Sequence, residues 1–432
     1  MAAPEQPWRR LHPVTPLLRG GRTLVVVAAL AGQQGLRQAE HTPVAVVGLL
    51  VLAAAAVGAL FGLLLWRTTR YRLTDTELQI DSGLLTKRSR RVPLARLQSV
   101  DVVRPVVARV LGVAELRLEV VGGGSTEAPL AYLGDADAQR LRQEMLSRAA
   151  GRGASTEEAD DSDRVLVVVP AHVLIASVAL GTPAVLLAAL VLILLTAATV
   201  DLSAAVPAAL AVFTIGASLL AVSVRRVLNE FGFTVAESTD GLRLRHGLLD
   251  TRAQTIPPGR VQAVRILEPL LWRPWGWVRV EVDVAGYGHS RGERESATSA
   301  LLPVAPRALA EAVVGRVLGG GLPVPVAPVP ERARWRAPLS KPRLRVGLDD
   351  RHLVTTSGVL TTTTAVVPLT KVQSLRLTSG TWQQRLRLAT LHADTAGRRL
   401  PGAKAHHRDA DEAQALLVEL SRRTRTARRA AP

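Results

Sequence analysis

The chain contains no cysteine, only two methionines and almost no lysine. Without cysteine there is no disulfide framework, no thiolate nucleophile and no Cys-ligated metal, a composition compatible with the cytoplasm. Of 54 basic residues only Lys87, Lys341, Lys371 and Lys404 are lysines, leaving 50 arginines. Beside abundant alanine this suggests GC-rich coding, so the choice of arginine over lysine carries little functional information. Aromatic residues make up 3% of a chain that is 48% hydrophobic, and the apolar content is mostly Ala, Val and Leu gathered in blocks. Also missing are a Gly-rich phosphate loop, a Ser/His/Asp constellation on a recognisable elbow, and a paired-carboxylate motif. No long apolar block carries a charge at mid-depth, which argues against an ion or proton path. The net charge of +18 permits contact with polyanions, but charge alone is non-specific and does not point to a nucleic acid.

What the chain does have is apolar blocks long enough to cross about 30 Å of hydrocarbon. Residues 44–66 form one. Residues 173–200 and 202–224 form two more, so close that they predict a tight hairpin with Asp201 at its turn. A fourth block, about 17–36, is strongly apolar only from Leu24 to Ala31, and an interfacial helix is its other reading. The basic start followed by a second, longer apolar block does not read as a cleaved signal peptide. Arg9, Arg10, Arg19 and Arg22 precede the first pair, Arg67, Arg70 and Arg72 follow it, and Arg225 and Arg226 follow the second pair. The positive-inside rule then puts both termini on the cytoplasmic side of a multi-pass protein.

One segment occurs three times, at 82–100, 246–264 and 357–375. Gly83, Gly247 and Gly358 each lie ten residues before Pro93, Pro257 and Pro368. Arg96, Arg260 and Lys371 follow three residues after the prolines, and Gln98, Gln262 and Gln373 two further on. A glycine, proline, base and glutamine in one fixed frame is an internal repeat. Alternating sequence surrounds each copy, such as Tyr71 to Ile80, Leu242 to Arg245 and His352 to Val354, and predicts half-buried antiparallel strands. The glycine opens a hairpin and the proline is expected near the start of the following strand. A further strand is expected at 116–120, 278–282 and 388–392, and a helix at 136–147, 308–318 and 410–422. The fold class predicted is membrane α-helical hairpins plus three α+β domains, each a curved antiparallel sheet plugged by a C-terminal helix.

The run Gly83-Leu-Leu, then Val92-Pro-Leu-Ala-Arg-Leu-Gln-Ser-Val100, then Leu111-Gly-Val-Ala-Glu-Leu116, resembles the bacterial pleckstrin-homology-like (PH) domain, in particular membrane proteins of the YdbS/YdbT type. In copy two Trp275-Gly276 stands where Leu111-Gly112 does; copy three departs, with Lys371 for the arginine and Arg387 for the glycine. The resemblance implies a PH-like fold and membrane association, and supplies no defined biochemical activity. It divides the chain into a membrane hairpin (1–69), domain 1 (70–148), a flexible acidic linker (149–164), a second hairpin (165–226), domain 2 (227–318), an extended Pro/Gly linker (319–342), domain 3 (343–422) and a basic, disordered tail (423–432).

Several residues have both a functional and a structural reading. Arg96, Gln98 and their counterparts either bind a ligand shared by all copies or brace one face of a strand. Lys87, Arg88, Arg90 and Arg91 form a basic hairpin in copy one alone, either a contact for anionic lipid headgroups or a solvated turn. Trp272, Trp275 and Trp277 cluster; Trp275 is read as core, and Trp272 and Trp277 as partner-facing. His406 and His407 beside Asp409 and Asp411 lack a third ligand group, so neither metal nor cofactor is expected. These readings combine into a non-enzymatic scaffold in a bacterial inner membrane, with lipids, other membrane proteins or a second copy as partners. An accessory subunit of a transport or export system is the alternative.

Overall fold

A computed structural model describes residues 8–15, six helical positions between 52 and 66, and residues 67–83, 87–120, 130–149, 164–200, 202–238, 241–256, 259–284, 300–396 and 402–430. The span expected at about 17–36 therefore lies outside the described residues. The chain forms two compact units, 1–160 with 249–254, and the remainder.

In the first unit β1 (Arg9–Arg10), β2 (Arg70–Leu73), β3 (Glu77–Ser82) and β4 (Arg88–Pro93) form one antiparallel sheet. A 3-10 turn, Leu94–Arg96, leads to β5 (Leu97–Arg104), α1 (Val106–Val110), β6 (Val113–Val120), β7 (Leu130–Gly134) and α2 (Asp135–Ala149). Apolar residues at alternate strand positions, among them Tyr71, Leu73, Leu78, Val100, Val102, Leu116 and Leu118, meet Ala138, Leu141 and Met145 of the helix in one core.

The second unit begins with β8 (Arg164–Val168), followed by α3 (Ala171–Ala179), α4 (Thr182–Val200) and α5 (Leu202–Glu230). Copy two continues through β9 (Thr234–Ser238), β10 (Gly241–His246), β11 (Thr251–Ile256), β12 (Val261–Pro269), β13 (Trp277–Val284), β14 (Ala300–Pro306) and α6 (Arg307–Leu318). Copy three runs through β15 (Ala327–Pro328), β16 (Arg345–Leu348), β17 (His352–Ser357), β18 (Thr361–Pro368), β19 (Val372–Thr378), α7 (Thr381–Arg385), β20 (Leu388–Thr395), β21 (Ala403–Asp409) and α8 (Ala410–Ala430).

The apolar blocks lie inside copies one and two rather than between copies. In copy one β1 pairs with β2 across everything between residues 10 and 70, and Leu11 joins the copy-one core. In copy two β8 pairs with β9 across the helices α3 to α5. In copy three β15 pairs with β16, and two 3-10 turns, Glu331–Trp335 and Lys341–Arg343, occupy the insertion point. This corrects three sequence expectations. Copy two begins at Arg164, because the short run Arg-Val-Leu-Val-Val merges in composition with the apolar block after it. Residues 319–342 are not simply an extended linker, since Val329 and Ala333 are buried against Leu344 and Leu388. The tail is helical to Ala430: Ala and Arg favour the helix, Leu420 and Thr424 are buried, and Arg428 donates to the Val372 carbonyl.

α4 spans 19 residues, about 28 Å of rise, and α5 spans 29. Both are apolar enough to cross a membrane, with Leu192, Ile193, Leu195, Phe213 and Leu220 exposed on their surfaces. Hydroxyls within α5 bond their own helix, Thr214 to the Leu210 carbonyl and Ser218 to that of Thr214, both at 2.9 Å, so these groups are satisfied without water. The block expected to cross from 173 is instead broken at Leu180-Gly181. Leu174, Ser177 and Val178 of α3 are buried, and Leu174 belongs to the copy-two core.

Candidate functional site

The repeat signature has a structural meaning. Gly83, Gly247 and Gly358 open the hairpins with φ of 119°, 107° and 102°. At Gly358 a Cβ would lie 2.0 Å from the Thr361 carbonyl, so only glycine fits. Pro93 and Pro368 close their strands ahead of a 3-10 turn, a correction of the expectation that they begin one; Pro257 lies outside the described residues. The base sits in that turn, at Arg96 and Lys371. Each glutamine marks a β-bulge. Register shifts by one residue between Leu97 and Ser99, between Val261 and Ala263, and between Val372 and Ser374, where Gln98, Gln262 and Gln373 stand. Base and glutamine are thus not on one regular strand face. Gln262 is buried and donates to the Arg260 carbonyl at 3.2 Å, whereas Gln373 is exposed. Arg260 and Lys371 are half-buried.

The hairpin strands are used twice in one register. In the first unit Thr251, Arg252 and Ala253 pair with Arg104, Val103 and Val102 of β5. In the second unit the equivalent Thr362, Thr363 and Thr364 pair with Glu268, Leu267 and Ile266 of β12, positions equivalent to those of β5. An arginine fastens each pairing. Arg109 donates to the Leu249 carbonyl at 2.7 Å. Its equivalent, Arg273, donates to the Val359 carbonyl at 3.1 Å and to Thr362 Oγ1 at 2.9 Å. In copy three the position is Gln384 and bonds locally to the Ser379 carbonyl.

The third such strand, β4, pairs with β3 alone among the described residues. It carries Lys87, Arg88, Arg90 and Arg91 where copies two and three have Thr251, Arg252, Gln254, Thr255 and Thr362, Thr363, Ala365, Val366. Lys87, Arg88, Ser89 and Arg91 are exposed and Arg90 is half-buried. Glu77 lies 4.0 Å from Arg91, leaving a strongly positive strand edge.

The tryptophan expectations need correction. Trp272 is 1% exposed and donates to the Ser177 carbonyl of α3 at 3.0 Å, which makes it core. Its indole fills the space between α3 and the sheet, a use that sequence spacing does not reveal. Trp275, expected in the core, is 54% exposed and stacks on Trp277 with ring centroids 5.6 Å apart. Trp277 itself is half-buried against the copy-two core. Asp409 is engaged by Arg332 and caps the Asp411 N–H, and no group of three metal-ligating side chains occurs among the described residues.

The model of the family described as "Bacterial PH domain" matches residues 24–149, 164–321 and 317–424. The chain belongs to the bacterial PH domain family. The three matched stretches correspond to the three copies, and the second takes in the membrane helices α4 and α5. A relative, the UPF0699 transmembrane protein YdbT of Bacillus subtilis (strain 168), is 25% identical over 288 residues, 58% of this chain and 57% of that protein. The chain thus matches little more than half the length of that relative. No solved structure matches. This bacterial PH-domain chain is a membrane protein.

Proposed function

We propose that the protein is a non-enzymatic binding platform of a bacterial plasma membrane, its three PH-like domains and both termini cytoplasmic, and that β4 is its contact with anionic lipid headgroups. The observation behind this reading is the fate of three equivalent strands. Two carry few charges and are paired edge to edge; the one with no neighbour beyond it among the described residues is basic. Lysine and arginine on an open edge discourage further strand pairing, and the same charges attract a negative surface. At about 1 kcal/mol per base near anionic lipid, four give about 4 kcal/mol before salt screening. Repeated domains on one anchor also suit multivalent capture of membrane proteins, because tethering raises effective concentration. A transport accessory role has no comparable observation behind it.

The absence of cysteine allows a clean test. Ser89→Cys, labelled with an environment-sensitive dye in the full-length protein, is placed in nanodiscs of phosphatidylcholine with or without phosphatidylglycerol. A spectral shift that requires the anionic lipid, fades with salt and disappears when Lys87, Arg88, Arg90 and Arg91 become Glu supports the reading. A dye that reports the same environment in both discs defeats it.

A further inference from the structure

Where copy two meets copy three, within the second unit, a cleft of about 450 Å³ opens between the ends of β12, β16 and β17 and the start of α6. Arg273, Arg307, Arg343 and Arg345 line it, with Glu268 the acidic residue among its lining groups. Two of the arginines are fixed by neighbours. Arg273 is held by the strand pairing described above, and Arg307 by Glu311 at 2.8 Å and Glu268 at 3.4 Å. Arg343 and Arg345 make no side-chain hydrogen bond or ion pair among the described residues, although arginines elsewhere in this unit, such as Arg279, Arg408 and Arg423, are paired. Arg345 faces Thr356 across the β16–β17 ladder, so both side chains leave the same face of the sheet. The Thr356 hydroxyl is shut off from solvent and has no hydrogen-bond partner among the described residues, and its residue lines the cleft. One wall is rigid: Val324 and Pro325 lie so close to Gly347 that a Cβ there would meet the Val324 carbonyl at 2.7 Å.

We propose that this cleft binds a compact polyanion carrying two or more phosphoryl groups. Four guanidinium groups against Glu268 and the Glu311 that pairs Arg307 leave a net charge of two to be balanced. The forked, permanently charged donors of arginine match phosphoryl oxygens in geometry, and the Thr356 hydroxyl, without a partner among the described residues, adds a further donor. The volume falls in the range of small-ligand sites. The site depends on the docking of copy three on copy two, since each contributes two of the four arginines, and it is separate from β4. The phosphoryl groups belong either to a lipid headgroup or to a free phosphorylated small molecule.

Full-length protein in phosphatidylcholine nanodiscs, titrated calorimetrically with inorganic pyrophosphate, tests the proposal. Wild type is expected to bind. Arg343→Gln with Arg345→Gln, both side chains free of structural partners, is expected to weaken binding at least tenfold without shifting Tm. The charge-reversed β4 variant is expected to bind as wild type does. Discs containing phosphatidic acid, compared with discs of equal charge made with phosphatidylglycerol, then separate the sources. Competition by phosphatidic acid assigns a phosphorylated headgroup, and equal affinity in both assigns a free molecule. No pyrophosphate binding by wild type, or undiminished binding by the double variant, overturns the proposal.

Discussion

The carboxylate of Glu230 receives both arms of the Arg279 guanidinium, Nη2 to Oε1 at 2.8 Å and Nη1 to Oε2 at 3.1 Å. Glu230 ends α5, the last membrane helix, and Arg279 lies on β13 of copy two. Arg226, one turn earlier, adds a third bond at 3.1 Å, and Glu281 neutralises the far side of Arg279 at 3.0 Å. The backbone makes the same connection. The Gly247 and Leu248 amides donate to the Phe231 and Leu228 carbonyls at 2.8 Å, which caps the end of the helix with the copy-two hairpin. The membrane helix and the domain are therefore one rigid piece.

Because Glu230 is only 3% exposed, its removal leaves two charged arginines, Arg226 and Arg279, in a buried site with Glu281 on Arg279 as the remaining carboxylate. Glu230→Ala is expected to destabilise copy two by about 3–5 kcal/mol, the usual cost of stranding one member of a buried pair. Glu230→Ala with Arg279→Ala is expected to recover part of that loss. Denaturation of the full-length protein in nanodiscs, followed by fluorescence of the buried Trp272, measures both. A single variant within about 0.5 kcal/mol of wild type would show that the pair is not buried in solution.

Much of this architecture was legible in the sequence, for reasons that differ element by element. Glycine, proline and glutamine recur at fixed spacing because each answers a backbone demand, an opening turn with positive φ, a strand end and a bulge. The apolar blocks were legible from their length. The insertion of the spans was not, since β1 and β15 are two-residue strands with no period to detect. Trp272 was misread because clustering says nothing about which ring points inward. Arg387 shows another limit. It occupies the left-handed position of Gly112 and Gly276, with φ of 51° beside their 65° and 60°, so the backbone is kept where the sequence departs. The basic strand was visible as charge. That among the described residues it has no neighbour on its outer edge, unlike its two equivalents, required the pairing pattern.

His406 gives copy three a pH dependence whose sign is fixed. Burial first, then the nearby His407, Lys404 and His392, lower its pKa to about 4. In the unfolded chain it titrates near 6.5. Between those values the unfolded state takes up a proton that the folded state refuses, so stability falls as pH drops from about 6.5 toward 4 and is flat with respect to this group above that window. Chemical denaturation of the full-length protein at pH 7, 6, 5 and 4 is expected to show the decline, and His406→Gln to make it shallower. An unchanged slope in the variant would assign the pH dependence to other groups.

Copies one and two use the same ion pair with opposite polarity. Arg104 on β5 bonds Asp135 at the start of α2 at 2.5 Å, and at the equivalent positions Glu268 on β12 meets Arg307 at the start of α6 at 3.4 Å. Two copies therefore pair opposite charges there in either order, whereas copy three, with Ser379 and Ala410 at the equivalent places, does without the pair. The acid at the start of α2 favours copy one through the helix dipole, which the arginine of α6 forgoes. Arg104→Glu places two carboxylates together and is expected to cost copy one about 1 kcal/mol, a modest loss because Asp135 is partly exposed. Arg104→Glu with Asp135→Arg recreates the copy-two arrangement and is expected to return most of that loss, short of a few tenths of a kcal/mol for the dipole. A double-mutant cycle in full-length protein, read by thermal unfolding, measures the coupling directly. Additive losses would mean that the pair does not interact and that Asp135 acts on its helix alone.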